Sequence, residues 1–423
     1  MTTFFLKLRL LVEDKVLRTR LIFTLSALIL FRFLSTIPIP GVDLLQLERL
    51  FANNQFLGLL DIFSGGGLST ISIVMLGVGP YITASIIMQL LTMIFPTLKE
   101  MYQEEGEAGR RKFIQYSRLL TIPLALLQGF GFVLLLQKSG VLPNLTQFDL
   151  FVNIITIAAG SILLMWIGEL ITEFGIGNGV SLLIFAGIVA RLPVVIGQLI
   201  ATYDPSQIPV YLAFAAVALV IIAAVVFITE AERPIPVTYA KRVRGNKVYG
   251  GVSTYLPLRL NQAGVIPIIF ALSLLLFPQM ILTFLSSITA PWAQTVSNYG
   301  LAFLANQWLY GAAYFVLVVV FTYFYTAVTF DPHAIADNLQ KNGAFIPGVR
   351  PGPSTTSYVG QIVTRITLVG ALFLGLVAVL PLIVQSVTGI QSLAIGGTAL
   401  LIVVNVVTDL VKKLDSQLSI REY

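Results

Sequence analysis

Cysteine is absent from this chain, and histidine occurs once, at position 333. Without a thiol there is no disulfide framework and no thiolate chemistry; a bilayer-embedded protein needs neither, so the compartment stays undecided on this ground. His333 reads more readily as incidental than as a metal ligand or proton shuttle. Charge is scarce too: Asp, Glu, Lys and Arg make up 11 % of the residues against 57 % hydrophobic. That balance is far from a soluble domain. The alternating ten-residue strands of an outer-membrane barrel are missing. The glycine-rich FSGGGLS (63–69) has no strand before it and no Lys-Ser/Thr after it, which argues against a Walker-type phosphate cradle. No catalytic residues, metal or cofactor are expected, and the chain reads as a non-enzyme.

What the sequence has is hydrophobic length. Runs near spanning length occur at 21–37, 71–95, 114–136, 151–171, 180–200, 210–228, 264–285, 308–329, 366–384 and 393–411. A hydrocarbon core of about 30 Å takes roughly 20 helical residues, so ten transmembrane helices are expected in an all-α polytopic membrane protein. The first run follows Lys7, Arg9, Lys15, Arg18 and Arg20 and has no small-residue cleavage site behind it, so it reads as a retained span.

The basic residues then orient the chain. All of the 26 Lys/Arg except Arg32, Arg49, Lys138 and Arg191 fall in the two termini, at the start of span three or in the connections after spans two, six and eight. By the positive-inside rule both termini and the even-numbered connections are cytoplasmic. The net charge of +6 is thereby topological and needs no nucleic acid. Ten spans divide into halves of five, 1–205 and 206–423, the second inverted relative to the first, an arrangement common in membrane pathways.

The stretch 61–95 stands apart. It opens with small and glycine-rich residues and carries Gly77, Gly79 and Pro80 inside an apolar run. Glycine costs about 1 kcal/mol and proline about 3 in a helix interior, and backbone freed in lipid needs a partner or water. A broken half-helix of this kind suits a mobile element lining a pathway. Two long connections, about 230–260 and 330–364, are rich in turn residues. Alternation over 236–243 and 246–253 predicts a β-hairpin turning at Arg244, Gly245 and Asn246. These loops look like docking surfaces for a cytosolic partner, the plainer reading being topology signal with anionic-lipid contact. GIGNG (175–179) reads as a tight turn between helices. Glu169 and Glu173, one turn apart, suit an interfacial position, and Arg32 is the one charge placed well inside a span. Val78 with Ile82, and Val180 with Ile184, are spaced to share helix faces; by spacing alone they are core or lipid-facing.

IPIPGVD (37–43), FSGGGLS, PYITASIIMQLL (80–91), EGEAGRRKFIQYSR (105–118), MWIGELITEFGIGNGVSLLIFAGIVARLP (165–193), YLPLRLNQAGVIPIIFA (255–271), ADNLQKNGAFIPGVRPG (336–352) and GGTALLIVV (396–404) change that weighing. Together they resemble the bacterial SecY family, the central subunit of the Sec protein-conducting channel. The resemblance implies two inverted five-helix halves around a central hourglass pore, with a lateral gate between spans two and three on one side and seven and eight on the other. It implies a pore ring of Val78, Ile82, Val180, Ile184, Ile269 and Ile402. It also implies a plug, a short half-helix at about 60–73 that includes Phe63, Ser64, Gly65, Gly66, Gly67, Leu68, Ser69 and Ile71. Lys241, Arg242, Arg244 and Arg350 would contact the motor or ribosome. The implied partners are SecE, SecG, the SecA ATPase, ribosomes, preproteins bearing signal sequences and membrane lipids, with no nucleic acid beyond ribosomal RNA in a docked ribosome.

The physics suits that role. An aliphatic constriction offers water no hydrogen bonds and tends to dewet, which resists ions while favouring no particular side chain. Glycines weaken the plug helix. Lateral opening lets an apolar helix partition into lipid. With no nucleotide motif here, work must come from an ATPase or a translating ribosome, in a bacterial cytoplasmic membrane. A secondary transporter is the rival, but it would converge polar residues at the midplane. A scaffold without conduction leaves the plug-like stretch unexplained.

Overall fold

Each hydrophobic run falls largely on one helix of the computed structural model, which describes residues 13–41, 47, 66–138, 140–142, 146–201, 208–239, 242–244, 247–249, 253–286, 288, 290–388 and 391–419. In chain order these helices are α1 (Lys15–Leu34), α2 (Gly79–Ile94), α4 (Gly106–Lys138), α5 (Gln147–Phe174), α6 (Gly179–Ala201) and α7 (Ile208–Glu230). After them come α8 (Ile266–Leu285), α10 (Gln307–Thr329), α12 (Pro353–Thr388) and α13 (Gln391–Ser419). Three shorter helices lie between them: α3 (Pro96–Gln103), α9 (Pro291–Ala305) and α11 (Pro332–Lys341). Among the described residues, Gly106–Gln137, Gln147–Phe174, Gln307–Lys341 and Pro353–Leu380 are long and apolar enough to cross a membrane unaided. Helices α2 and α3 make a fifth such unit, bent by 113° at Phe95. Pro96 accounts for the bend, since the residue before proline is pushed out of the helical region and Phe95 is extended.

The second long connection folds back on the first. Strands β1 (Glu232–Tyr239), β2 (Arg242–Arg244), β3 (Lys247–Tyr249) and β4 (Ser253–Arg259) form the expected hairpin. β1 pairs with β4 from Glu232↔Arg259 to Thr238↔Ser253, and β2 with β3 up to Arg244↔Lys247. That register leaves two residues, not three, between the paired arms. A strand that the alternation did not predict, β5 (Ala344–Phe345), adds to the other edge of β1 through Thr238↔Phe345 and Tyr239↔Ala344. Ile235 and Val237 turn to the inner face and pack with Leu258, Ala344 and Ile346 on Val359, Ile362 and Val363 of α12. His333 lies on α11, not in an irregular loop, and its backbone N–H donates to the N-cap Asp331 carboxylate at 2.8 Å.

Two expectations are corrected. The described part of the expected plug, 66–73, is a run of turns with one isolated bridge at Ser72 rather than a half-helix, and the turns continue to residue 78. Gly66 (φ 84°), Ile71 (φ 42°) and Gly77 (φ 58°) take left-handed backbone there, which a right-handed helix cannot absorb. Arg32 is not deep in a span: α1 ends at Leu34, so Arg32 sits in the last turn, exposed, with Nη1 donating to Ser35 Oγ at 3.4 Å. A cation there complements the helix dipole.

The halves meet along two seams, α8 against α2 and α4, and α13 against α6. The largest buried cluster fills the space between them.

Candidate functional site

Five aliphatic side chains from both halves converge in that cluster: Val78, Ile82, Ile184, Ile269 and Ile402, none more than 7 % exposed. Val180 packs against the cluster, half-buried. Local sequence sets each in place. Val78 caps α2, whose first turn holds Pro80, a residue pre-set for helix starts; Ile82 N–H donates to Val78 O at 3.0 Å. GIGNG makes the tight turn that launches α6. Gly177 has φ 92°, the Asn178 side chain accepts from Ser181 N–H at 3.2 Å, and Thr172 Oγ1 accepts from Gly179 N–H at 2.9 Å. A Cβ on Gly179 would collide with the Gly168 carbonyl, so α5 and α6 approach backbone to backbone. Val180 and Ile184 then follow in the first two turns. Ile269 occupies the first turn of α8, just past Gly264 (φ 62°).

A cavity of about 440 Å³ opens onto this cluster. Ile82, Val180, Ile184 and Ile269 line it together with a polar set that includes Tyr81, Ser85, Gln89, Arg118, Glu169 and Glu173. Arg118 Nε donates to Glu169 Oε1 at 2.7 Å and ties α4 to α5. The sequence reading left these two unpaired, because one-dimensional spacing does not reveal the rotational phase of two separate helices. The arrangement is a vestibule, polar on one part of its wall and aliphatic where the helices of the two halves close together. It offers no cluster of metal-ligating side chains among the described residues.

The turn segment 66–78 sits beside this cluster. Leu68, Ile71 and Met75 pack with Ile39, Phe132, Leu136 and Ile157 in a second buried group, while Val74 belongs to the first. Backbone hydrogen bonds pin the segment to the chain after α1: Ile39 N–H to Ile71 O at 2.9 Å and Ile73 N–H to Ile37 O at 3.0 Å. Thr70 Oγ1 donates to Ser35 O at 2.8 Å. Phe63, Ser64 and Gly65 lie outside the described residues, as does Lys241. Arg242 and Arg244 are on β2, near the tip of the hairpin. Arg350 is exposed beyond β5, its carbonyl accepting from Thr355 Oγ1 at 2.9 Å.

One contact joins the halves near α3. Gln103 Nε2 donates to Val328 O of α10 at 3.0 Å.

Residues 72–411 match the SecY family. The protein translocase subunit SecY of Mycobacterium tuberculosis (strain ATCC 25618 / H37Rv) is 44 % identical over 429 aligned residues, covering 96 % of each chain. Among solved structures, a SecY whose plug domain stabilises the closed state of the translocation channel and maintains a membrane seal matches with a TM-score of 0.65. It is 20 % identical and covers 96 % of this chain and 93 % of that one. Sec61 in the canine ribosome-channel complex from the endoplasmic reticulum matches with a TM-score of 0.62 at 19 % identity and the same coverage. At those identities the solved structures share the fold, and the family rests on the sequence matches. The chain belongs to the SecY family of protein translocase subunits.

Proposed function

We propose that this chain is the passive, gated pore through which unfolded secretory polypeptides cross a bacterial cytoplasmic membrane, and from which signal and transmembrane helices leave sideways into lipid. One observation carries the reading: Ile82, Val180, Ile184 and Ile269 line a partly polar cavity and lie in or against the same buried aliphatic cluster as Val78 and Ile402. In this reading those six side chains form the constriction. Packed against one another they leave water no hydrogen-bonding wall, so a narrow passage dewets. Spread around an extended chain they grip no residue type in preference to another.

Residues 63–71 act as the plug, and the likeness to a SecY whose plug domain maintains a membrane seal supports this. The α8 seam against α2 and α4 is the lateral gate. Both termini and the sheeted connections face the cytoplasm, where Lys241, Arg242, Arg244 and Arg350 receive SecA or the ribosome; the fold shared with ribosome-bound Sec61 supports the latter. SecE and SecG complete the assembly. The residue ranges 1–205 and 206–423 act as the two shells that part. No step of the chemistry of propulsion is assigned to this chain.

The test is ion conductance of the reconstituted protein in planar bilayers, comparing the intact chain with a deletion of 65–72. A raised resting conductance on deletion, together with opening of the intact form by a signal peptide, is the expected result. If both forms stay silent while a small solute moves, the channel reading fails.

A further inference from the structure

Helix α9 is the element that the pore reading leaves without a task. It follows α8 at the end away from β4 and bridges to α10. Its residues sort onto three faces. Ala293 and Ser297 are fully buried; Ser297 Oγ donates to Leu282 O of α8 at 2.9 Å, and a Cβ on Gly300 would press into the Leu282 side chain. Trp292, Val296, Tyr299 and Phe303 recur at spacings of four, three and four, so they share a second face. That face is uncovered: the four side chains are 64 %, 49 %, 78 % and 46 % exposed. Gln294, Thr295 and Asn298 occupy the third face, also exposed.

Three surroundings are implied, and two are evident: protein behind the small residues, water beside the amides. The aromatic face needs the third. An exposed apolar stripe is a liability in water, and Trp and Tyr concentrate where acyl chains meet headgroups. Apolar side chains on the flanking helices are uncovered as well, Ile281 of α8 and Trp308 of α10 among them. No charged side chain occurs anywhere from 260 to 330, so attraction to anionic headgroups plays no part. We propose that α9 lies in the lipid–water boundary of the outer leaflet, its Trp292–Val296–Tyr299–Phe303 stripe seated among headgroups and upper acyl chains and its small face clamped to α8. The occupant is lipid, held by apolar burial and aromatic amphiphilicity. Because α8 supplies Ile269 to the constriction, the clamp tethers a wall of the pore to the bilayer surface. The leaflet rests on the topology proposed above; the depth does not.

Trp166, Trp292 and Trp308 are the chain's three tryptophans, so Trp166→Phe with Trp308→Phe leaves Trp292 as sole reporter. In phosphatidylcholine–phosphatidylglycerol vesicles, Trp292 emission is expected to be blue-shifted. Phospholipid brominated near the headgroup should quench it more than phospholipid brominated near the chain end, and acrylamide several-fold less than free tryptophan. In a tryptophan-free background, Asn298→Trp should be quenched strongly by acrylamide and little by either brominated phospholipid. Quenching of Trp292 by acrylamide at the free-tryptophan level overturns the proposal in favour of a solvated helix. Silence toward both quenchers overturns it in favour of a protein partner on the stripe. The natural lack of cysteine lets Asn298→Cys report the side: labelling by an impermeant maleimide from outside supports the outer leaflet, and labelling only from the cytoplasmic side overturns that assignment while leaving the depth result standing.

Discussion

At the scale of single residues, Ile71 is the position where sequence and backbone disagree most. Its side chain is fully buried, yet its φ of 42° is one that a β-branched residue reaches at a cost of about 1–2 kcal/mol. Burial outweighs that cost, because truncating a buried Ile to Ala loses about 2–5 kcal/mol. Both Ile71→Ala and Ile71→Gly should therefore lower the melting temperature in detergent and raise resting leak. Their order should invert the usual one. Glycine ordinarily trails alanine by about 0.5–1 kcal/mol, but at positive φ it relaxes the backbone, so Ile71→Gly should be the milder variant. An alanine variant that is clearly milder would show that the left-handed turn is not kept in solution. Gly179 makes the complementary case. The Gly168 carbonyl fills the space where its Cβ would stand, so Gly179→Val should destabilise by about 1–3 kcal/mol through overpacking, read as a lowered thermal midpoint. An unchanged midpoint would mean that α5 and α6 are not in backbone contact.

At the scale of elements, the Gln103 side chain reaches from α3 to α10 and satisfies one of the carbonyls that a helix leaves open at its C-terminal end. A hydrogen bond of this kind contributes about 0.5–1.5 kcal/mol net. If the α2–α4 side parts from α8 and α10 on opening, Gln103→Leu should raise the resting open population about 2- to 10-fold, measured as conductance without signal peptide. No change would place the gate motion elsewhere. Helices were legible as hydrophobic runs because burial in lipid writes itself into composition, and the hairpin was legible because alternation is local. The third strand was not: β5 has two residues and pairs with β1 across a hundred positions of sequence. The half-helix expected at about 60–73 came from the resemblance, whereas the positive φ at Gly66 and Ile71 decides the conformation of its described part. Arg118 and Glu169 were visible as charges but not as partners. The residues proposed as the ring carried no local signal at all; spacing makes them core, and only the resemblance singled them out.

At the scale of the whole molecule, the main contacts between the two halves among the described residues are the α8 seam, the α13–α6 seam and links such as Gln103, while each half has extensive packing of its own. Fragments 1–205 and 206–423, expressed together, should therefore associate in the membrane and co-purify through a tag on either one. Recovery of the tagged fragment alone would mean that the halves depend on their covalent link. The β-sheet adds a condition on time. β1 leaves the synthesising machinery long before β5, and α8, α9, α10 and α11 must all be made in between. Until then the inner edge of β1 has no partner at Thr238 and Tyr239, and Ile235 and Val237 have no α12 to cover them. A nascent chain halted after α10 would thus present a raw strand edge and an apolar patch, on the proposed topology to the cytosol. Completion of the sheet is therefore the step that pairs this edge and covers this patch, and it waits on the synthesis of α12.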